Sequence, residues 1–346
     1  MKKLNCFNIA ALYIGIIMGA GFASGRECWQ FFGVFGNDGY KGAILVTIGF
    51  VAYGFMLTKI ARSKNTYDLG KLVSPFDNWL IEGSIGNILA LFYYTDLIVM
   101  SAAGGSLLNQ QFGINKIWGG LIITVLVIAT VLGNFARISR VFKYLVPVLF
   151  CVAIIMIILI INADYTQSGP TDFEPGHMSP NWLISSLVFL AYNTIAMITM
   201  AGNTAVNAKN RINAYLGAII GGACLGGLIL ALMRALMTDM TYTASFDMPM
   251  LGYSLRLSPI INVIYAIILF GSIYSTGTSC YYGFTTIIPD GKSKSWIIII
   301  CSLLAFTLGL LGFTKMIEYL YPTQGYIGSV FLLLIVINFI KVSLKK

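Results

Sequence analysis

Gly19-Ala20-Gly21-Phe22-Ala23-Ser24-Gly25 interrupts an apolar run that extends from 8 to 33, and Arg26-Glu27 follow it directly. Each of the three glycines costs a helix about 1 kcal/mol relative to alanine. A helix broken here frees backbone carbonyls and amides. In hydrocarbon such groups must face protein or a water-filled cavity. One reading is a broken helix lining a solute and ion site; the other is close packing by small residues, which membrane helices also use. Arg26 and Glu27 favour the first, because charges beside the break need partners or solvation. They lie about 100° apart on a helix, so one partner cannot satisfy both.

The rest of the 346-residue chain has the same apolar character. It is 58% hydrophobic and 10% charged, with a mean hydropathy of +0.82; soluble domains carry about 25% charged residues. Apolar runs fall at 8–33, 40–62, 84–111, 117–134, 141–162, 181–203, 213–237, 259–287, 295–312 and 322–342. Each is long enough to cross a bilayer, some with tilt, and none alternates like a membrane barrel strand. Lys2 and Lys3 ahead of the first run mimic a signal peptide, but apolar residues resume at Cys28-Trp29-Gln30-Phe31-Phe32, as expected of a retained, interrupted helix. The class is all-α integral membrane protein, with one transmembrane domain over 1–346.

The net charge of +9 follows topology and gives no reason to expect nucleic acid. With the N-terminus inside, the inner segments hold Lys2 and Lys3; Lys59, Arg62, Lys64 and Lys71; Arg137, Arg140 and Lys143; Lys209 and Arg211; Lys292 and Lys294; and Lys341, Lys345 and Lys346. The outer segments hold Lys41, Lys116, Arg234, Arg256 and Lys315, while the outer loop near 163–180 carries Asp164, Asp172 and Glu174 without Lys or Arg. Ten spans with both ends cytoplasmic fit the positive-inside rule. Two halves of five spans, 1–162 and 181–342, then have opposite orientations, the arithmetic of an inverted repeat. The six cysteines show no CxxC spacing and read as small apolar packing residues.

Three further places carry chemistry. Asp96 lies mid-span in Tyr93-Tyr94-Thr95-Asp96-Leu97-Ile98, where a carboxylate needs an amine, a cation, a proton or a structural partner such as Arg26. Ala191-Tyr192-Asn193-Thr194 sits at the centre of the sixth run, where a second break is expected by position; its polar groups could equally bond between helices. Ser275-Thr276-Gly277-Thr278-Ser279 in the eighth run offers hydroxyl oxygens suited to a hard cation, or to bonds with its own backbone. His177, the only histidine, lies in a loop, and no HExxH or Ser-His-Asp set is visible, so no enzyme is expected.

The stretch from Asn8 to Phe32, with GAGFASGRE inside it, resembles the opening of the YkvI-like bacterial membrane proteins, which are similar to the amino acid–polyamine–organocation transporters and the wider LeuT-like fold. The resemblance implies a five-plus-five inverted repeat with broken helices 1 and 6. It implies a solute site at Ala20, Gly21, Ala23, Ser24, Gly25, Ala191, Tyr192, Asn193 and Thr194, to which Asp96 is added by its own mid-span position. It also implies a bound Na⁺ held by Gly19, Phe22, Ser275, Thr278 and Ser279, while Arg26, Glu27 and Asp96 are coupling or gating candidates by their charge within the spans. The outer-gate arginine of LeuT-like relatives has no match at Trp29-Gln30, and Asp96 has no simple counterpart in their sodium-coupled pattern, which keeps proton coupling open. The implied activity is cation-coupled secondary transport of a small polar solute, an amino acid or related compound, across a bacterial-type cell membrane. A non-transporting receptor on the same fold is the alternative. The sequence sets no oligomeric state.

Overall fold

The computed structural model describes residues 3–133, 135–163, 165–285 and 287–344, with no side-chain description across 134–146. Lys2, Asp164, Lys345 and Lys346, and the side chains of Arg137, Arg140 and Lys143, therefore lie outside the described residues. The described chain is helical, apart from one isolated parallel bridge between Leu4 and Ala208.

The first run forms three short helices, α1 (Cys6–Ile17), α2 (Ala20–Ala23) and α3 (Arg26–Phe31). The remaining runs give α4 (Asn37–Lys64), then α6 (Trp79–Phe112), α7 (Lys116–Leu132), α8 (Phe135–Asn162), α9 (Trp182–Asn207), α10 (Arg211–Leu236), α13 (Pro259–Thr285), α14 (Lys294–Gly309) and α16 (Tyr321–Leu344). The connections add α5 (Leu69–Val73), α11 (Met240–Ala244), α12 (Pro249–Leu257) and α15 (Phe313–Lys315), the last joined to α16 by a π turn. Among the described residues six helical segments are long and apolar enough to cross a membrane, and four more apolar helices are shorter. Asparagine starts five of the helices: the side chains of Asn5, Asn78, Asn115, Asn181 and Asn210 each accept a first-turn N–H, satisfying donors that the helix leaves open.

The sixth run corrects the expectation of a second break. It forms α9, one continuous helix through Ala191–Thr194. No glycine or proline stands at 191–195, and Asn193 and Thr194 bond back to the carbonyls of Phe189 and Leu190, which leaves the helical ladder intact.

The helices pack in two groups. In one, α4 lies against α9 and α10, and α1 against α10 and α9; in the other, α6 lies against α7, α13 and α14, with α13 also on α7. The short α2 touches α13 and α6, and α3 touches α10 and α9, so the interrupted segment joins the groups. Small residues allow close approach: a Cβ at Gly119 would lie 2.5 Å from the Gly104 carbonyl oxygen and 2.8 Å from Gly105 Cα. Such contacts let helices pack where no hydrophobic drive separates helix from lipid.

At one end of the bundle Asp239 joins three connecting segments. Its carboxylate accepts from Ser168 Oγ at 2.8 Å, Tyr242 N at 3.1 Å and Arg256 Nη1 at 2.9 Å. The Arg256 guanidinium also lies over the rings of Tyr165 and Tyr242. Burial disfavours the Asp239 charge, but the bonds from Ser168, Arg256 and Tyr242 outweigh it and hold the carboxyl below its usual range.

Two outcomes follow. Gly119→Ala forces two backbones apart and is expected to cost about 1–3 kcal/mol. Gly227→Ala, with open space around it, is expected to stabilise by up to about 1 kcal/mol; thermal unfolding of the purified variants orders the two. Because the Asp239 carboxyl is depressed, its contribution is full above the unfolded value of about 3.9 and is lost as pH falls through the lower folded one. Arg256→Gln is therefore expected to destabilise by about 1.5–3 kcal/mol at neutral pH, with the gap from wild type closing in melts at pH 3. An unchanged gap there removes the charged bond as its cause.

Candidate functional site

The first helix stops where its backbone leaves the helical region. Met18 has ψ 62° and Gly19 is extended at ψ −172°. The Gly19 N–H turns back to the Ile17 carbonyl at 2.7 Å. One turn later Gly25 adopts φ +80°, a conformation that favours glycine. The interruption expected over Gly19–Gly25 is thus present, as a double bend.

The surrounding chain takes up the displaced carbonyls. Gly19 O accepts from Ala23 N at 2.9 Å, Phe22 O from Gly25 N at 3.0 Å and Ser24 O from Met250 N at 2.9 Å. Tyr265 donates its hydroxyl to Ala23 O at 2.5 Å, and Ser24 Oγ donates to Gly21 O at 2.9 Å. The break is therefore tied to α12 and α13.

Arg26 and Glu27 diverge from it. Arg26 turns into a crevice shared with Trp29, Gln30, Glu174 and Glu318, donating to Phe246 O at 3.4 Å and Gln30 Oε1 at 3.3 Å. Among the described residues no ion pair joins Arg26 to Asp96. Glu27 turns the other way, 4% exposed. Its carboxyl lies over Gly21, where any Cβ would overlap it, and accepts the Tyr192 hydroxyl at 2.5 Å. Tyr192 in turn stacks on Tyr321, with ring centroids 4.8 Å apart.

Glu27 forms part of the wall of a cavity of about 70 Å³ at the α1–α2 break. Asp96 and Tyr93 come from α6, Tyr192 and Asn193 from α9, Thr276 and Cys280 from α13, and Tyr321 and Gln324 from α16. Among the described residues the wall holds two carboxyl groups and no Lys, Arg or His.

Asp96, Tyr192, Asn193 and Gly19 thus reach one cavity, as does Glu27. Ala20, Gly21, Ala23, Ser24 and Gly25 are buried outside its wall. Ala191 packs against Gly328, and Thr194 is spent on Leu190 O. Of the five residues expected around Na⁺, Gly19 alone lines this cavity. The Gly19 and Phe22 carbonyls are occupied, Ser275 Oγ donates to Ser272 O and Ser279 is exposed. Thr278 is buried, its hydroxyl without a partner among the described residues. The residue beside Gly19 is Thr276, two positions and about 200° around the helix from Thr278. Cys280, Tyr321 and Gln324 were not singled out by the sequence. The one signal for Cys280 is its spacing of four from Thr276, which shares its face.

No family model matches this chain. It is homologous along nearly its whole length to the uncharacterized membrane protein YkvI of Bacillus subtilis strain 168, with 26% identity over 343 residues, 96% of this chain and 95% of the relative. YyaD of the same organism is 22% identical over 320 residues, 92% of each chain. The inward-facing structure of Mhp1 superposes with a TM-score of 0.65 at 14% identity, covering 96% of this chain and 76% of that one. The fold is that of Mhp1. A manganese transporter of Eremococcus coleocola in complex with an aromatic bis-isothiourea compound is more distant, at TM-score 0.50, 14% identity, and 95% and 76% coverage.

Gly21→Ala places a methyl group where the Glu27 carboxyl stands. We expect the carboxyl to leave Tyr192, with a small change in melting temperature because the displaced group is the end of a flexible side chain. Labelling of Cys280 by a small thiol reagent, with the other five cysteines replaced, is expected to change at least about threefold in rate as the cavity wall rearranges. An unchanged rate would remove Glu27 from that wall.

Proposed function

We propose that this protein is a cation-coupled secondary transporter of a small polar organic solute, an amino acid or a related compound such as an amine, working by alternating access. The observation that carries the proposal is the cavity at the first-helix break, walled by Glu27 and Asp96 and, among the described residues, lacking a basic side chain. Intramembrane carboxyl groups facing a cavity mark solute, ion or proton pathways, and a discontinuous helix at mid-bundle supplies such a site in transporters. The homology to YkvI and the fold of Mhp1, named as a nucleobase-cation-symport-1 family transporter, are in keeping with it, as is a distant relationship to the amino acid–polyamine–organocation transporters.

In this proposal the ten apolar runs are ten spans, both ends are cytoplasmic, and the membrane is a bacterial-type cell membrane. The halves 1–162 and 181–342 form an inverted repeat. The packing supports it, because contacts come in matched pairs: α1 on α10 answers α9 on α4, and α14 on α6 answers α7 on α13. The group of α1, α4, α9 and α10 rocks against α6, α7, α13 and α14, opening the cavity to each side in turn. The coupling cation is H⁺ at the carboxyl groups or Na⁺ at the open Thr278 hydroxyl. For Na⁺, Gly19, Phe22, Ser275 and Ser279 must come together in another state of the cycle.

Proteoliposomes on a solid-supported membrane test this. Application of amino acids and amines is expected to give a transport current that depends on a Na⁺ or a pH gradient. Asp96→Asn is expected to reduce it at least about tenfold, and Thr278→Ala to remove any Na⁺ dependence. Specific binding without current would make the protein a receptor on a transporter fold.

A further inference from the structure

We infer that the central cavity selects a compact organic cation, an ammonium or guanidinium group carrying no free carboxylate. This rests on the solute-site reading above and narrows its substrate class. Three observations carry it.

The first is charge. Among the described residues two carboxyl groups enter the wall and no basic side chain does. The Arg26 guanidinium, next in sequence to Glu27, is directed to Phe246 and Gln30 in a different crevice. One bound organic cation together with one coupling cation or proton neutralises the pair. A zwitterion brings a carboxylate along with its ammonium, so the same single coupling cation would leave one negative charge uncompensated, in a setting where unpaired charge is costly.

The second is the place where a solute carboxylate would go. A helix break offers backbone N–H groups to an anion, but the Glu27 carboxyl already lies over Gly21 beside this break. The protein thus supplies its own carboxylate there. Several nearby side-chain donors are committed as well: Tyr192 to Glu27, Asn193 to Phe189 O, and Gln324 to Phe92 O and Thr95 Oγ1; the neutral Tyr93 hydroxyl is left without a partner among the described residues.

The third is shape and surface. Tyr192 and Tyr321 stack at the wall, and Phe92 and Tyr93 add two more aromatic rings. Aromatic faces attract cations, most strongly where water is excluded. A cavity of about 150 Å³ admits benzene, so about 70 Å³ suits a group of roughly three to five non-hydrogen atoms.

The test uses the purified full chain in detergent, with binding read by calorimetry and by thermal shift. Guanidinium and ethylammonium chlorides are compared with alanine, which adds a carboxylate to ethylammonium, and with Mn²⁺. We expect both organic cations to bind and to raise the melting temperature, and alanine to bind at least about tenfold more weakly than ethylammonium. Asp96→Asn is expected to weaken guanidinium binding at least about tenfold. The wild-type comparison does not depend on the variant folding. Alanine binding as tightly as ethylammonium, Mn²⁺ binding more tightly than either organic cation, or no organic-cation binding at up to about 10 mM each overturns the inference. Guanidinium binding without transport current would leave the ligand class standing and remove the transporter reading. An alanine-driven current would do the reverse.

Discussion

A helix interrupted inside an apolar layer leaves backbone groups that hydrocarbon cannot solvate. Much of the organisation of this protein answers that constraint at Met18–Gly25. Tyr265 reaches from α13 to the Ala23 carbonyl, Met250 donates from α12 to Ser24, and Ser24 closes on Gly21. The first two ties fix the break to elements more than two hundred residues away in sequence, the third is local, and together they set the direction in which α3 leaves. The break is therefore held in place by the bundle around it.

That fixed exit gives Arg26 and Glu27 their separate roles. On one helical turn two adjacent side chains point about 100° apart. Here the difference sends the guanidinium to the Glu318 crevice and the carboxyl to the central cavity. A sequence neighbour that would neutralise Glu27 is thereby kept away, and the carboxyl is left with a phenol and a glycine surface. The cavity is acidic because of backbone geometry as much as because of composition.

The parts of this arrangement that the sequence made legible are local ones. Three glycines in seven residues mark a helix that cannot run straight, and a carboxylate such as Asp96 within an apolar run marks a place that needs a partner. In the sixth run a break rests only on position in a repeat plan, while its own residues contain nothing to stop a helix, and Asn193 and Thr194 use their polar groups on their own backbone. The hydroxyl cluster on α13 was recognised, but the rotation of that helix was not: Thr276 and Cys280 face the cavity and Thr278 does not. Helical rotation depends on packing against α6 and α7, where glycine contacts set the approach, and no local pattern records it. Tyr321 and Gln324 were missed for a related reason, since they reach the site from the last helix.

The continuity of α9 has a consequence for how the site works. In a repeat with both central helices broken, each half would present free backbone groups to a solute. Here one side of the cavity is an intact helix that offers Tyr192 and Asn193, and Tyr192 is bonded to Glu27 on the interrupted side. The contact across the cavity is thus a side-chain hydrogen bond between α3 and α9, both on the edge of the same helix group. Asp96, from the other group, has no such tie to Glu27. A cation placed between the two carboxyl groups would draw the groups together, and its departure would leave like charges facing each other across the boundary along which the bundle is divided. In the proposed transporter, binding and movement would be linked at that boundary by electrostatics, without any need for a second broken helix.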